Sequence, residues 1–165
     1  AFAAFGQLDS GLLAGYIAAQ MAGAFCGAVG TWAAFRLHFE ATEDPDRKLG
    51  VFSTSPAIRH TFSNFLTELI GTFVLAFGAL AASAPTTSLG ALDALPVALL
   101  VAGIGMGLGG PTGYAINPAR DLGPRIAHFV LPISGKRDSD WSYAWIPVAG
   151  PIAGALLGAG LYSLL

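Results

Sequence analysis

The sequence predicts an all-α membrane protein, in which a bundle of spanning helices holds a shorter helix that enters the bilayer without crossing it. The first observation is composition: 54% of the 165 residues are hydrophobic, 11% are charged, and the mean hydropathy is +0.63. Soluble domains carry roughly a quarter charged residues. The second observation is that the charges are clustered, and the third is an Asn-Pro pair at Asn117 within strongly apolar sequence.

Four uncharged runs are long enough to cross a bilayer, which takes roughly 20 apolar residues. They cover 10–35, 69–92, 94–119 and 141–165. The segment before them, Ala1 to Phe5, is apolar and is followed by Gly6, so it reads as the end of an earlier helix. We predict one domain over 1–165, with the end of a half-helix at 1–5 and spanning helices at 11–35, 62–82, 89–109 and 143–165.

The shorter helix is predicted over 117–129. Asn caps exposed backbone N–H groups at a helix start, and Pro is tolerated at the first helical position. Pro132 and the polar residues after it end the helix after about a dozen residues, too few to span a bilayer. Non-helical backbone before Asn117 is tolerated at membrane depth only if it is buried in protein or lines a water-filled cavity. A pore is the simplest reason for such a segment.

Other functional classes find little support in the residues. The net charge is −2 and no basic patch is present, which argues against a nucleic-acid partner. The histidines make no metal-ligand spacing, and the single cysteine, Cys26, reads as a small packing residue. No nucleophile, base and orienting partner can be grouped, so we predict no enzyme activity, no metal and no cofactor.

The first and last apolar runs share a small-residue pattern. Gly23 and Gly27 of the first run correspond to Gly154 and Gly158 of the last. Small residues four apart allow close helix approach in lipid, and such stripes are common in membrane helices in general. The alternative is an inverted repeat of the kind that builds transport proteins around a midplane site.

Several motifs together resemble the major intrinsic proteins, the family of aquaporins and glycerol facilitators. Residues 113–120 read Gly-Tyr-Ala-Ile-Asn-Pro-Ala-Arg and resemble the second Asn-Pro-Ala loop of that family. Residues 66–73 resemble the start of its fourth helix, with a buried Glu at Glu68, while 16–24 and 145–158 resemble its third and sixth helices. The resemblance implies an aquaporin-like inverted-repeat bundle with re-entrant half-helices. No counterpart of the first two helices or of the first Asn-Pro-Ala loop is found, so we expect a partial chain.

The resemblance also implies a set of site residues. The expected pore and selectivity residues are Asn117, Arg120, Tyr114, Gly105, Gly113 and Ala115, and the expected supporting residues are Glu68, Pro118, Ala119 and Asp121. A buried carboxylate at Glu68 could accept hydrogen bonds from N–H groups of the re-entrant loop. The role of Asp121 does not follow from its spacing.

The expected function is a passive channel for glycerol and similar small neutral solutes plus water, which excludes protons and ions. Water-selective members usually carry His at the position of Gly105; Gly leaves room for a wider solute, and Tyr114 gives an apolar wall opposite the donors of Arg120. Asp121 is a further mark of the glycerol-facilitator branch. The alternatives are a strictly water-selective aquaporin, a broken-helix secondary transporter and a structural membrane protein.

The setting is predicted to be the lipid bilayer, in the plasma (inner) membrane, and the resemblance implies a homotetramer. Orientation is in conflict: the basic residues between the first two and the last two spanning runs would be cytoplasmic by the positive-inside rule, whereas the family topology places these loops outside. We favour the family topology, because two of these arginines belong to the re-entrant loop.

Overall fold

The computed structural model describes residues 2–6, 8–82 and 90–165, and within these ranges every regular element is helical. The all-α class predicted from the sequence is therefore confirmed. The helices are α1 (Leu13–Ala34), α2 (Arg36–Ala41), α3 (Pro45–Gly50), α4 (Thr61–Ala82), α5 (Leu95–Thr112), α6 (Pro118–Val130) and α7 (Ile146–Tyr162), with 3-10 turns at Phe2–Phe5, Ser10–Leu12 and Gly90–Leu92.

The element bounds differ from the predicted ones mainly at helix starts. The helix predicted over 89–109 begins at Leu95 and extends to Thr112, because Pro96 suits the first turn and Gly113 ends the helix in a left-handed conformation. The helix predicted over 143–165 begins at Ile146, after a turn, and ends at Tyr162. The segment predicted as the end of a half-helix contains the short 3-10 turn Phe2–Phe5.

Three described helices are long and apolar enough to cross a membrane: Ser10–Ala34, which includes a 3-10 turn before α1, Thr61–Ala82 and Leu95–Thr112. The fourth apolar helix, α7, has 17 residues, at the lower end of the spanning range. Most residues of α1 are exposed, as expected of a helix whose surroundings are lipid or other protein rather than water.

Helices α4 and α7 pack closely against each other. Three glycines four residues apart on α7 lie against α4. A Cβ atom on Gly158 would lie 2.6 Å from the carbonyl oxygen of Phe73, and one on Gly154 would meet the backbone of Leu69 and Phe73. Such stripes of small residues let two backbones approach where lipid provides no hydrophobic drive.

The half-helix α6 packs against α1 and α7. Its Gly123 faces α1, where an added Cβ atom would lie 2.8 Å from the Cβ atom of Ala24. Beyond this contact, a hydrophobic cluster joins α1, α2, α6 and the segments after α3 and α6; it contains Ala28, Phe39, Phe52, Ala127, Leu131 and Ile133. The cluster holds α6 against α1, and α6 with its 13 residues extends about 20 Å.

Candidate functional site

The segment between α5 and α6 holds its backbone in unusual conformations. Gly113 has φ 75°, Tyr114 has φ 42° and Ile116 has φ 45°. Positive φ is readily adopted by glycine but costs energy for a β-branched residue such as Ile116. Strain of this kind persists only where the surroundings impose it, and it is concentrated at functional sites.

Glu68 on α4 supplies the interactions that hold this segment. Its side chain is almost completely buried; one carboxylate oxygen accepts a hydrogen bond from the N–H of Ala115 at 3.0 Å and the other from the N–H of Ile116 at 2.8 Å. Gly150 of α7 makes room for it, since a Cβ atom there would lie 2.8 Å from the Cβ atom of Glu68. Both N–H groups are thereby satisfied without water, as a buried non-helical segment requires.

Asn117 begins α6. Its side-chain oxygen accepts a hydrogen bond from the N–H of Ala119 at 2.9 Å, and Pro118 occupies the first helical position. Ala119 is buried, whereas the side chain of Asn117 is exposed. The N-terminus of α6, with its partial positive charge, is therefore presented on the same exposed face as the Asn117 amide.

Three of the predicted selectivity residues lie together. The ring of Tyr114 covers Gly105, where an added Cβ atom would lie 3.1 Å from Cζ of the ring, and it also covers Gly109. The guanidinium carbon of Arg120 lies 5.8 Å from the centre of the same ring. Arg120 is exposed, and no hydrogen bond or ion pair joins it to another described residue. An apolar ring and a set of available donors thus face the same space.

Two predicted pore residues are less exposed than Tyr114, Asn117 and Arg120. Ala115 is completely buried, and its N–H donates to Glu68. Gly113 is only partly exposed, since an added Cβ atom would lie 3.3 Å from Cγ2 of Thr54. The exposed face consists of Tyr114, Asn117 and Arg120.

Asp121 anchors α6 to the rest of the fold, a role that its spacing did not reveal. It is fully buried and accepts hydrogen bonds from the N–H and the hydroxyl of Thr54, at 2.7 and 2.6 Å. It also pairs with Arg125 one turn later, at 2.8 Å. Arg125 is itself fully buried and donates to the carbonyl oxygens of Thr54, Ser139 and Asp140.

Arg125 and Thr54 are parts of the site that were not predicted from the sequence. An Asp followed four residues later by an Arg, on a helix that lies in apolar surroundings, is a usable signal for a buried ion pair. Nothing local identifies Thr54, which is 67 residues from Asp121.

The loop after α6 is held by two further cations. Lys136 donates to the carbonyl oxygens of His128, Phe129 and Leu131, and so satisfies the end of α6. Burial lowers the pKa of Lys136. Arg59 pairs with Asp140 at 2.5 Å and lies 5.6 Å from the Tyr143 ring centre. Burial alone would raise the pKa of Asp140, but the hydrogen bonds from Arg59 and Ser142 lower it overall.

Within the described residues, no group of three or more His, Cys, Asp or Glu side chains could hold a metal ion. The arrangement around Tyr114 and Arg120 instead combines an apolar surface with hydrogen-bond donors, which suits transient contact with a neutral, hydroxyl-bearing molecule.

Known proteins share this arrangement of helices and motifs. The chain is 54% identical over 160 residues to a probable glycerol uptake facilitator protein of Thermotoga maritima, covering 97% of this chain and 68% of the relative. It is 57% identical over 148 residues to the glycerol uptake facilitator protein of Bacillus subtilis, covering 90% of this chain and 54% of the relative. The chain thus spans between about half and two thirds of the length of these relatives.

Among solved structures, the aquaglyceroporin from Plasmodium falciparum superposes with a TM-score of 0.82 at 26% identity, covering 98% of this chain and 67% of that one. The aquaporin-like helical fold predicted from the sequence is therefore confirmed. The family described as major intrinsic protein matches residues 1–162. With apolar helices, an Asn-Pro-Ala half-helix and this match over nearly its whole length, the chain is an integral membrane protein that belongs to the major intrinsic protein family.

Proposed function

We propose that the full-length protein is a passive channel for glycerol and similar small neutral solutes as well as water. The observation that carries the proposal is the Tyr114–Arg120 pair beside Gly105. Here an aromatic ring faces one exposed space together with a guanidinium that has no hydrogen bond or ion pair to another described residue. The carbon backbone of a polyol can lie against the ring while its hydroxyl groups accept hydrogen bonds from Arg120. The names of the two bacterial relatives and of the solved neighbour support the same solute class.

The charges on this face support the exclusion of cations. The N-terminus of α6 carries about half a positive charge, and Arg120 adds a full one in a region of low dielectric. Both repel cations. The exposed NH2 of Asn117 can donate to the oxygen of a passing water, which disfavours a continuous chain of proton transfer.

The proposed arrangement in the membrane follows the apolar helices. We infer that α1, α4, α5 and α7 cross the bilayer and that α6 enters it to about half its depth. A pore of this type requires a second half-helix opposite α6, as the family pattern implies. The plasma membrane is proposed because the named relatives are bacterial, and a homotetramer because the family resemblance implies one.

Stopped-flow light scattering on proteoliposomes with the full-length protein tests the proposal. We expect rapid water flux, glycerol flux that does not saturate, and a changed glycerol flux in Arg120→Ala. Current recordings across planar bilayers should show no ionic current for the wild type and ion leakage for Arg120→Ala. Arg36→Ala is the matched control, because Arg36 is exposed and among the described residues pairs only with Glu40.

Each other outcome contradicts the proposal in its own way. Water flux without glycerol flux would show a water-selective channel. Glycerol flux that saturates at low concentration and depends on an ion gradient would show a transporter, and the absence of both fluxes would favour a structural role.

A further inference from the structure

We propose that Thr54 is a positioning residue that sets solute selectivity. It holds in place both Tyr114 and Arg120, the two residues that form the proposed constriction. The inference rests on the proposed function and extends it to a residue that contacts no solute. Thr54 lies in the segment between α3 and α4, is buried, and is far in sequence from both constriction residues.

The first contact of Thr54 fixes the Arg120 side. Its N–H and its hydroxyl both donate to the same carboxylate oxygen of Asp121, at 2.7 and 2.6 Å. Its carbonyl oxygen accepts from Arg125 at 2.9 Å. Asp121 directly follows Arg120 in the first turn of α6. Hydrogen bonds to a charged group are stronger than those between neutral groups, so Thr54 is a firm reference point for the start of the half-helix.

The second contact fixes the Tyr114 side. An added Cβ atom on Gly113 would lie 3.3 Å from Cγ2 and 3.4 Å from Cβ of Thr54, so the threonine packs directly on this residue. Gly113 has φ +75° and precedes Tyr114, whose direction depends on that backbone. Three residues after Thr54, the N–H of Ala57 donates to the carbonyl oxygen of Pro111 at 3.0 Å, which ties the same segment to the end of α5.

The two contacts use different atoms of one side chain. The hydroxyl acts through Asp121 on Arg120, and the methyl group acts through Gly113 on Tyr114. Small displacements at a positioned site have large effects on rate. Loss of either the hydroxyl or the methyl group is therefore expected to change the width of the constriction while the fold is retained.

Two substitutions separate these effects. Thr54→Val keeps the shape and removes the hydroxyl, whereas Thr54→Ser keeps the hydroxyl and removes the methyl group. Thr42→Val is the matched control, because among the described residues the Thr42 hydroxyl bonds only to the carbonyl oxygen of His38, at the end of α2. The measured quantity is the ratio of glycerol to water permeability, and that of a five-carbon polyol to glycerol, in proteoliposomes with equal protein content.

We expect Thr54→Val to change the ratio of glycerol to water permeability by about threefold or more, since positioning errors are amplified in rate. Thr54→Ser should retain that ratio more closely and change the ratio for the larger polyol, and Thr42→Val should change neither. A role in stability alone would lower the unfolding temperature and the amount of active protein but leave both ratios unchanged, which would overturn the inference.

If Thr54→Val does not fold, the ratio for the larger polyol in Thr54→Ser decides the question, and an unchanged ratio overturns the inference. A wild-type protein without glycerol flux would instead refute the proposed function. The two failures are thus distinguishable in one experiment.

Discussion

The ring of Tyr114 fills the space that Gly105 leaves on α5: a Cβ atom on Gly105 would lie 3.1 Å from Cζ of the ring and 3.2 Å from Cε2. Because Gly105 has no side chain, the Tyr114 ring can lie against α5. In this position the ring leaves open the space that Arg120 faces. In the proposed channel, the room for a solute would therefore depend on both residues.

Gly105→Ala is expected to reduce glycerol permeability by about threefold or more while water permeability falls less, because the methyl group pushes the Tyr114 ring toward the solute. Gly103→Ala on the same helix is the control, since a Cβ atom at Gly103 has no described neighbour within 4 Å. Stopped-flow measurements on both variants check the prediction. Equal glycerol permeability in the two would mean that the ring does not border the path.

Glu68→Gln is expected to destabilise the protein by about 2 kcal/mol, because an amide oxygen and an amide NH2 cannot both accept from backbone N–H groups. One of the two donors, on Ala115 or Ile116, would remain buried without a partner. The unfolding temperature in detergent measures the effect. Glu40→Gln, in an exposed ion pair, should leave that temperature nearly unchanged. A similar value for both variants would refute the role given to Glu68.

The parts of the site that could be predicted from sequence are those set by local chemistry. An Asn-Pro pair predicts a capped helix start whatever the fold, and one acidic residue in a long apolar run requires buried donors. The residues that were missed depend on contacts distant in sequence: Thr54 meets Asp121 across 67 residues. The burial of Ala115 was also hidden, because it depends on which way a strained backbone turns its N–H group.

Helix ends also depend on local chemistry. Pro118 and Gly113 mark boundaries through their own backbone preferences. Pro96 marks the start of α5 at Leu95 in the same way, but the predicted bound of 89 did not use this mark and lies earlier.

Gly154→Ala is expected to lower the unfolding temperature, because the added methyl group would meet the α4 backbone, 2.9 Å from the N atom of Phe73. Overpacking of a close contact typically costs about 1–3 kcal/mol. Gly50→Ala serves as the control, since a Cβ atom there has no described neighbour within 4 Å. Thermal unfolding of both variants in the same detergent tests the prediction, and equal stability would show that α4 and α7 can separate freely.

Asp140 should make stability depend on pH in the acid range. Its pKa in the folded protein lies below the usual value of 3.8, so its contribution is fully present above that value and is lost as the pH falls through the lowered pKa. The contribution is less than about 1 kcal/mol, because Arg59 is half exposed and solvent screens the pair. The unfolding temperatures of wild type and Asp140→Asn should therefore differ at pH 7 and converge toward pH 3. Glu43→Gln is the control, and a difference independent of pH would contradict the prediction.

Arg125→Met is expected to be more damaging than any of these changes, by about 3–5 kcal/mol, because it leaves the carboxylate of Asp121 buried without its cation. It also frees the carbonyl oxygens of Ser139 and Asp140, which Arg125 binds at 2.7 and 3.2 Å. Arg125→Lys should fall between, since an ammonium retains the charge but cannot reproduce the planar set of donors. The decisive comparison is the double variant Asp121→Asn with Arg125→Met, measured by thermal unfolding in a double-mutant cycle. Removal of both charges should recover part of the loss. If instead the two losses simply add, Asp121 and Arg125 stabilise the fold independently, which would contradict a coupled ion pair.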